Sequence, residues 1–444
     1  MLLKYGRLSA LHPAPIYLFF HFYTVTLRLV ALTLGAPLGV MPTPISVDEI
    51  IRASRTFDAA LVGAACVWLY LARRESRGSS RISQRRWRDA LLLSPRVVRL
   101  VAWPVIIIGI FGLRYLRLSD SASLEQHSAS LGGWDTSAWV SQIVTWGQQG
   151  SLMLAYVTGF RPVLAGLTAV FFVLTMLSTA RYVLVVWGLF ACYIVLSKRR
   201  LRWPTFRYAV GLLFIAVLWF PLKVINASVW NGADAGTVVS DVVEYFTAAR
   251  NDGGTGDTTF LDQAAATMTL IDEHGKFFYG ATLLPLLVSP VPRLWWPDKP
   301  RMNEYQHTIS TPGRPIATYG SIATLVGEGY ANFGYLGGIL FPALAAYVYG
   351  RSYFAAMRRP HNSVFRFLYL VVASMLIQVY RDGFISAILF PASAAMPMVA
   401  LVAVHWLNRP GRQSKAGEVN GMRPPVPVIL PSQRESARDR RLSR

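Results

Sequence analysis

The sequence predicts an all-α polytopic membrane protein, and three observations lead to this fold class. Hydrophobic residues make up 53% of the 444 residues and charged residues only 15%, compared with roughly 25% charged residues in an ordinary soluble domain. The mean hydropathy is +0.37. The apolar residues lie in blocks that can cross a bilayer, because a hydrocarbon core of ~30 Å needs roughly 20 helical residues. This composition excludes a disordered chain, a collagen-like chain and a typical soluble enzyme.

Ten apolar blocks are long enough to be transmembrane helices. The fourth is the weakest, because three glutamines dilute it. The stretch from Pro162 to Ser197 is too long for one span, so it predicts a tight hairpin near Ser178–Arg181. The ten predicted spans cover residues 14–36, 57–73, 98–116, 137–158, 162–179, 182–197, 206–226, 321–349, 364–380 and 383–406.

Basic residues between the spans predict the orientation. Residues 73–99 contain nine Arg, residues 198–207 five Lys or Arg, residues 351–366 four Arg, and the tail after Leu407 nine Lys or Arg. With ten spans, all these segments fall on the side of the N-terminus, and the positive-inside rule makes that side cytoplasmic. The net charge of +21 is then explained by topology and anionic lipid, and nucleic-acid binding is not expected.

The predicted organisation has four parts. These are transmembrane helices 1–7 in residues 1–226, a large extracytoplasmic loop in 227–319, helices 8–10 in 320–407, and a disordered basic cytoplasmic tail in 408–444. The loop carries ten acidic and six basic residues, the opposite balance to the cytoplasmic segments. Residues 260–271 have helical apolar spacing, with Leu261, Ala265, Met268 and Ile271 on one face. A loop of this length with its own structure is more typical of a functional cap than of a connector.

Two arginines lie on the outer side, where the topology rule disfavours them. Arg181 is in the short hairpin between spans five and six, and Arg381, followed by Asp382, is between spans nine and ten. One interpretation is an internal ion pair of Arg381 with Asp382 or Glu328. The other is a phosphate clamp, because Arg offers planar, bidentate donors to phosphate. Arg28, in the first span, is either a further member of this clamp or a side chain that snorkels towards water, and we favour snorkelling.

The eighth span opens with Glu328, Tyr330 and Asn332 among five glycines between Gly327 and Gly338. The glycines permit a broken helix or close helix packing. An acid inside a membrane segment is a functional candidate, and the alternative is that Glu328 caps a half-helix or pairs with an Arg.

The end of the large loop supplies further candidates. Trp295 and Trp296 are flanked by prolines and are suited either to the membrane interface or to stacking against a sugar. His274 and His307 are either possible bases or ordinary surface residues. Cys66 and Cys192 lie in apolar blocks, and no metal-ligand spacing, Asp-x-Asp pair or nucleotide-binding glycine loop is present, so we predict no metal and no cofactor.

Four features, in this order, resemble the bacterial O-antigen polymerases, also described as oligosaccharide repeat-unit polymerases. The resemblance covers roughly Arg161 to Ala400, and the first 150 residues match only in being apolar spans. The features are Ser178-Thr179-Ala180-Arg181 at an outer hairpin, Phe278-Tyr279-Gly280 followed by Pro292-Arg293 and Trp296-Pro297-Asp298-Lys299-Pro300, the block from Gly327 to Gly334, and the late outer Arg381.

The resemblance implies a GT-C-like, metal-independent membrane glycosyltransferase. It would join oligosaccharide units carried on undecaprenyl diphosphate at the outer face of the bacterial inner membrane, with a flippase and a chain-length regulator as partners. Arg181 and Arg381 would hold the diphosphates, and Arg293 and Lys299 would close from the loop. Glu328 would orient a sugar or accept the hydroxyl proton, and Asp382 and His307 are competing bases. The expected substrate contacts are Tyr330, Asn332, Trp295 and Trp296.

Two other functions fit parts of this pattern. An O-antigen ligase-like transferase uses the same donor with a different acceptor, and a catalytic His in the large loop would favour it. A transporter or flippase for lipid-linked sugars would predict repeat symmetry and charges through both leaflets, whereas the unusual polar residues of this chain lie on the outer side.

Overall fold

The computed structural model shows an all-helical membrane protein over the residues that it describes, with one isolated bridge between Leu92 and Ser363. The chain divides into one compact unit, Met1–Val404, and a C-terminal unit, His405–Arg444. The structure describes residues 9–35, 45–78, 92–118, 136–158, 166, 182–206, 210, 225, 234, 236–241, 243–244, 260–288, 291, 295–296, 298, 300, 324–361 and 363–407.

Twelve α-helices are numbered here in chain order within these ranges. A π-helical turn, Phe22–Thr26, joins the first two, and a 3-10 turn, Ala281–Leu283, precedes the eighth. The helices are α1 Pro13–His21, α2 Leu27–Thr33, α3 Val47–Gly78, α4 Pro95–Leu118, α5 Thr136–Thr158, α6 Tyr182–Lys198, α7 Phe260–His274, α8 Leu284–Val288, α9 Thr324–Met357, α10 Val364–Ser374, α11 Leu376–Asp382 and α12 Phe384–Leu407.

Eight of the ten predicted spans coincide with helices, and the fifth and seventh lie almost entirely outside the described residues. By length and composition, four helical segments can cross a membrane: Pro13–Thr33, Val47–Ser76, Pro95–Gly112 and Thr324–Met357. The pair α10 and α11 adds a fifth if it is counted as one span bent by 42°. The prediction of a membrane-embedded helical protein is therefore confirmed at this level.

Helix α9 is broken where its glycines permit it. Phe333 and Gly334 leave the helical conformation, and Gly334 has φ 62° and ψ −150°. A Cβ added to Gly329 would lie 2.3 Å from the carbonyl oxygen of Gly337, although residues eight apart in a straight helix are separated by about 12 Å. Residues 324–332 therefore fold back against the start of residues 335–357, and the predicted broken helix with close packing is confirmed.

Helix α3 begins ten residues before the predicted second span, with Asp48 and Glu49 in its first turn. It runs in the same direction as residues 335–357 of α9. A Cβ on Gly338 would meet Thr56, one on Gly63 would meet Ile339, and one on Gly350 would meet Leu71. Parallel packing is what the ten-span topology predicts for its second and eighth spans.

Helix α7 confirms the predicted helical segment of the large loop. Burial is not confined to the single apolar face that the sequence predicts but extends around the whole helix. Every residue from Phe260 to Ile271 is buried, including Asp262, Gln263 and Thr267. The helix packs between α3 and α9. Its polar residues find hydrogen-bonding or ionic partners within the protein, so the helix lies inside the bundle.

The segments predicted to be cytoplasmic meet at one end of the bundle. The Ala10 amide donates to the Arg202 carbonyl at 2.7 Å, and the hydroxyls of Ser9 and Tyr353 are 2.9 Å apart. Arg358 pairs with Glu75 near the end of α3. Segments far apart in sequence thus share one end, and the candidate site lies at the other.

Candidate functional site

The candidate site is built where three elements meet at the other end of the bundle. These elements are the segment from Phe278 to Leu283, the half-helix of residues 324–332, and the junction of α11 and α12 at Gly383. None of them is adjacent to another in sequence. The site therefore depends on tertiary packing for its geometry.

The loop segment docks on the carbonyl end of the half-helix. The Phe278 amide donates to the Ala331 carbonyl at 3.0 Å, and the Tyr279 amide donates to the Asn332 carbonyl at 3.1 Å. The last carbonyls of a helix have no partner within the helix, and this segment supplies one. Gly280 continues with φ 93°, a left-handed conformation that favours glycine.

Asn332 joins the two segments through its side chain. It is fully buried, and its carbonyl oxygen accepts a hydrogen bond from the Gly280 amide at 2.8 Å. Its Nδ2 donates to Thr282 Oγ1 at 2.7 Å and to the Glu328 carbonyl at 2.9 Å. These contacts satisfy its amide group, which would be costly to bury without partners.

Glu328 caps the start of α12. Its side chain is buried, Oε2 accepts a hydrogen bond from the Phe384 amide at 2.5 Å, and Oε1 accepts one from Thr282 Oγ1 at 3.3 Å. A carboxylate at a helix N-terminus is stabilised by the free amides and the helix dipole. Glu328 therefore caps a helix, although this helix is α12 and not the half-helix to which Glu328 belongs, and within the described residues it forms no ion pair with Arg381.

Gly383 makes this cap possible. Its φ is 93°, and a Cβ at this position would lie 2.2 Å from Glu328 Oε2. The absent side chain leaves the space that the carboxylate occupies. The left-handed backbone also separates α11 from α12, so Arg381 and Asp382 lie at the end of α11 beside the cap.

Arg381 is only partly neutralised by its neighbour. Its Nε lies 3.6 Å from Asp382 Oδ1, and the Gln378 amide donates to the same carboxylate. The guanidinium carbon lies 5.3 Å from the centre of the Phe260 ring, within range of a cation–π interaction. Its Nε is buried and donates no hydrogen bond within the described residues, so this cation retains capacity to bind an acceptor.

Arg28 contradicts the expectation that it snorkels. Its side chain is 4% exposed and forms a bidentate ion pair with fully buried Asp262, with Nε to Oδ1 at 2.9 Å and a terminal nitrogen to Oδ2 at 2.5 Å. The cation is stabilised by a carboxylate inside the protein, so it does not need to reach water. The pair ties the first span to α7.

Tyr330 points to a second, more exposed group of charges. Its hydroxyl donates to Asp272 Oδ1 at 2.7 Å, and Asp272 Oδ2 pairs with Arg52 at 2.8 Å. Arg52 also donates to Thr269 at 3.0 Å. These hydrogen bonds and the ion pair connect α3, the end of α7 and the half-helix at the rim of the site.

The remaining predicted residues lie outside this constellation or outside the described residues. Trp295 and Trp296 are 78% and 43% exposed, which fits either interpretation of this pair. His274 is on the surface, with its Nδ1 3.0 Å from the Leu270 carbonyl oxygen. Arg181, Arg293, Lys299 and His307 belong to the part of the chain that the structure does not describe.

Sequence reasoning missed two residues of the site, Thr282 and Gly383, and it missed Asp262, the partner of Arg28. Asp262 carried a usable signal, since it is an acid within an apolar helical run. Thr282 and Gly383 carried none, because a threonine and a glycine next to a span have many ordinary roles. Comparison of the chain with family models, with curated proteins and with solved structures finds no match.

Proposed function

We propose that this chain is a membrane glycosyltransferase that polymerises undecaprenyl-diphosphate-linked oligosaccharide repeat units into a surface polysaccharide. One observation carries the proposal. The described parts of three of the four motifs that resemble O-antigen polymerases meet in space, namely Phe278–Gly280, the glycine-rich block around Glu328, and the Arg381 region. Motifs that are separated in sequence but assemble into one polar cluster favour a shared chemical role.

The chemistry follows from the charge that develops during transfer. The growing chain leaves its diphosphate and is transferred to a hydroxyl of the next lipid-linked unit, so negative charge accumulates on the leaving group. Preorganised cations stabilise such charge strongly in a site from which water is excluded. Arg381, with its buried Nε, is the described residue best suited to this task. Arg181, Arg293 and Lys299 are proposed to complete the diphosphate site.

We propose that Glu328 has a positioning role. Its two carboxylate oxygens hold the start of α12 and Thr282, and so it fixes the junction next to Arg381. Proton acceptance by Glu328 stays a prediction, with Asp382 and His307 as the competing bases. Tyr330, Asn332, Trp295 and Trp296 are proposed to line the path of the sugars.

The proposal includes ten spans, a GT-C-like architecture and both termini in the cytoplasm of a bacterium. Two features of the fold support this topology. Helices α3 and α9 run in parallel, as the second and eighth spans would. The segments assigned to the cytoplasm by their basic residues also lie at one end of the bundle.

The test is an analysis of lipid-linked oligosaccharides in a strain that lacks the protein. Accumulation of single units at the outer face supports a polymerase. Polymer that stays on the lipid supports a ligase, and units trapped on the cytoplasmic side support a flippase.

Complementation with Arg381→Ala or Arg181→Ala should leave single repeat units, whereas the matched control Arg351→Ala, at the opposite end, should restore polymer. Full-length polymer in both outer-arginine variants would contradict the diphosphate clamp.

A further inference from the structure

The end of the bundle opposite to the site contains a buried cation that has no acidic partner among the described residues. Arg366, in the first turn of α10, is 7% exposed. Its Nε donates to Ser197 Oγ at 3.1 Å, and a terminal nitrogen donates to the Arg359 carbonyl at 3.4 Å. Both acceptors are neutral. Within the described residues, no carboxylate lies within ion-pair distance of Arg366.

Within the described part of the chain, two further arginines contribute positive charge around Arg366. The pKa of His361 is lowered by burial and further by the positive charges of Arg366 and Arg200. Arg366 and Arg202 both interact electrostatically with the Tyr353 hydroxyl. We refer to Arg366, Arg200, Arg202 and His361 as the Arg366 cluster. Arg200 and Arg202 are exposed, so the buried guanidinium lies behind a basic, accessible surface.

An anion would stabilise this arrangement. Desolvation penalises a buried guanidinium, and like charges nearby add to the cost. An oxyanion with several acceptor oxygens would offset both the desolvation cost and the repulsion through charge-assisted hydrogen bonds. Arg is suited to phosphate because its planar guanidinium can donate two parallel hydrogen bonds to it. We propose that the Arg366 cluster binds a phosphate group, supplied by the headgroup of an anionic phospholipid.

Two aromatic residues next to the cluster favour a lipid over free phosphate. Trp203, directly after Arg202, is 44% exposed, and Phe206, four residues after Arg202, is 84% exposed. Exposed aromatic residues beside basic residues at the end of a transmembrane bundle are typical of the membrane interface. A headgroup bound there would place its acyl chains along α6 and α10. This inference does not depend on the proposed function.

The experiment measures lipid retention by the purified full chain with native mass spectrometry. The probes are phosphatidylglycerol, phosphatidylcholine and inorganic phosphate, each added to protein in detergent. We expect retention of phosphatidylglycerol but not phosphatidylcholine. Arg200→Ala should weaken retention about fivefold, as expected for one basic residue at a lipid surface. Arg366→Gln should weaken it about tenfold or more, because it removes a charge-assisted contact.

Arg351→Ala is the matched control, because it removes the same charge from an exposed position on α9 towards the same end. It should retain the lipid as the unmodified protein does. If Arg351→Ala and Arg200→Ala weaken lipid retention equally, the whole basic surface attracts the anionic lipid, and a specific site at the Arg366 cluster is refuted. If inorganic phosphate raises the melting temperature of the protein and phosphatidylglycerol does not, the lipid source is wrong. If Arg366→Gln does not fold, Arg200→Ala alone decides between these outcomes.

Discussion

Truncation of either member of the Arg28–Asp262 pair should strongly destabilise the protein. The two side chains are 4% and 0% exposed and share contacts of 2.9 and 2.5 Å. Either substitution leaves an unpaired charge in the interior, at a cost of about 3–5 kcal/mol. We expect Arg28→Ala and Asp262→Ala each to lower the free energy of unfolding by about 4 kcal/mol. The measurement is unfolding in detergent followed by tryptophan fluorescence.

The double variant Arg28→Met/Asp262→Leu should be much closer to the unmodified protein, because apolar residues of similar volume often replace buried ion pairs at little cost. Arg52→Ala is the matched control, since Arg52 pairs with Asp272 of the same helix α7 but the two side chains are 48% and 35% exposed. It should cost about 0–1 kcal/mol. An equal loss for Arg28→Ala and Arg52→Ala, or additive effects in the double variant, would refute the buried pair.

Three further substitutions test the geometry of the site. Gly383→Ala should cost about 1–3 kcal/mol from a backbone conformation (φ 93°, ψ −164°) that is essentially restricted to glycine, and more from the clash at 2.2 Å with the capping carboxylate. Gly275→Ala, with φ 64° and nothing within 4 Å, should have a backbone cost but no clash, and unfolding curves compare the two variants. Gly329→Ala should prevent the half-helix from packing, because its Cβ would meet a backbone oxygen at 2.3 Å. Gly327→Ala, with no contact under 3.5 Å, should be neutral or stabilise the helix by up to about 1 kcal/mol. Melting temperatures in detergent compare Gly329→Ala with Gly327→Ala. Asn332→Leu should cost roughly 3 kcal/mol by leaving buried partners unsatisfied, and limited proteolysis should detect release of the loop segment.

The pattern of apolar blocks was enough to predict most helices, because hydrophobic length is a strong local signal. Helix α5 coincides with the predicted fourth span despite its three glutamines. The break in α9 was also foreseeable, since Gly334 can adopt a backbone conformation that other residues avoid. The extent of α3 was not foreseeable, because its charged first turns pack against α7, and that contact is not encoded locally.

Partners of the charged residues could not be predicted in the same way. The sequence placed Arg28 and Asp262 in apolar segments, but nothing in their local pattern says that they meet. The same holds for Glu328 and the amide of Phe384, because a backbone amide has no sequence signature. Sequence reasoning therefore identified which side chains need an explanation, and tertiary packing determined what each one contacts.

The Arg28–Asp262 pair has a consequence for biosynthesis. The partners are 234 positions apart, so a ribosome that adds about 5–20 residues per second needs roughly 10–50 s to deliver the carboxylate after the guanidinium. An arginine at membrane depth costs about 2.5–3.5 kcal/mol on translocon scales. Throughout that interval the nascent first helix lacks the Asp262 carboxylate that offsets this penalty in the folded protein. The first helix can therefore reach its final, charge-paired surroundings only after α7 has been synthesised.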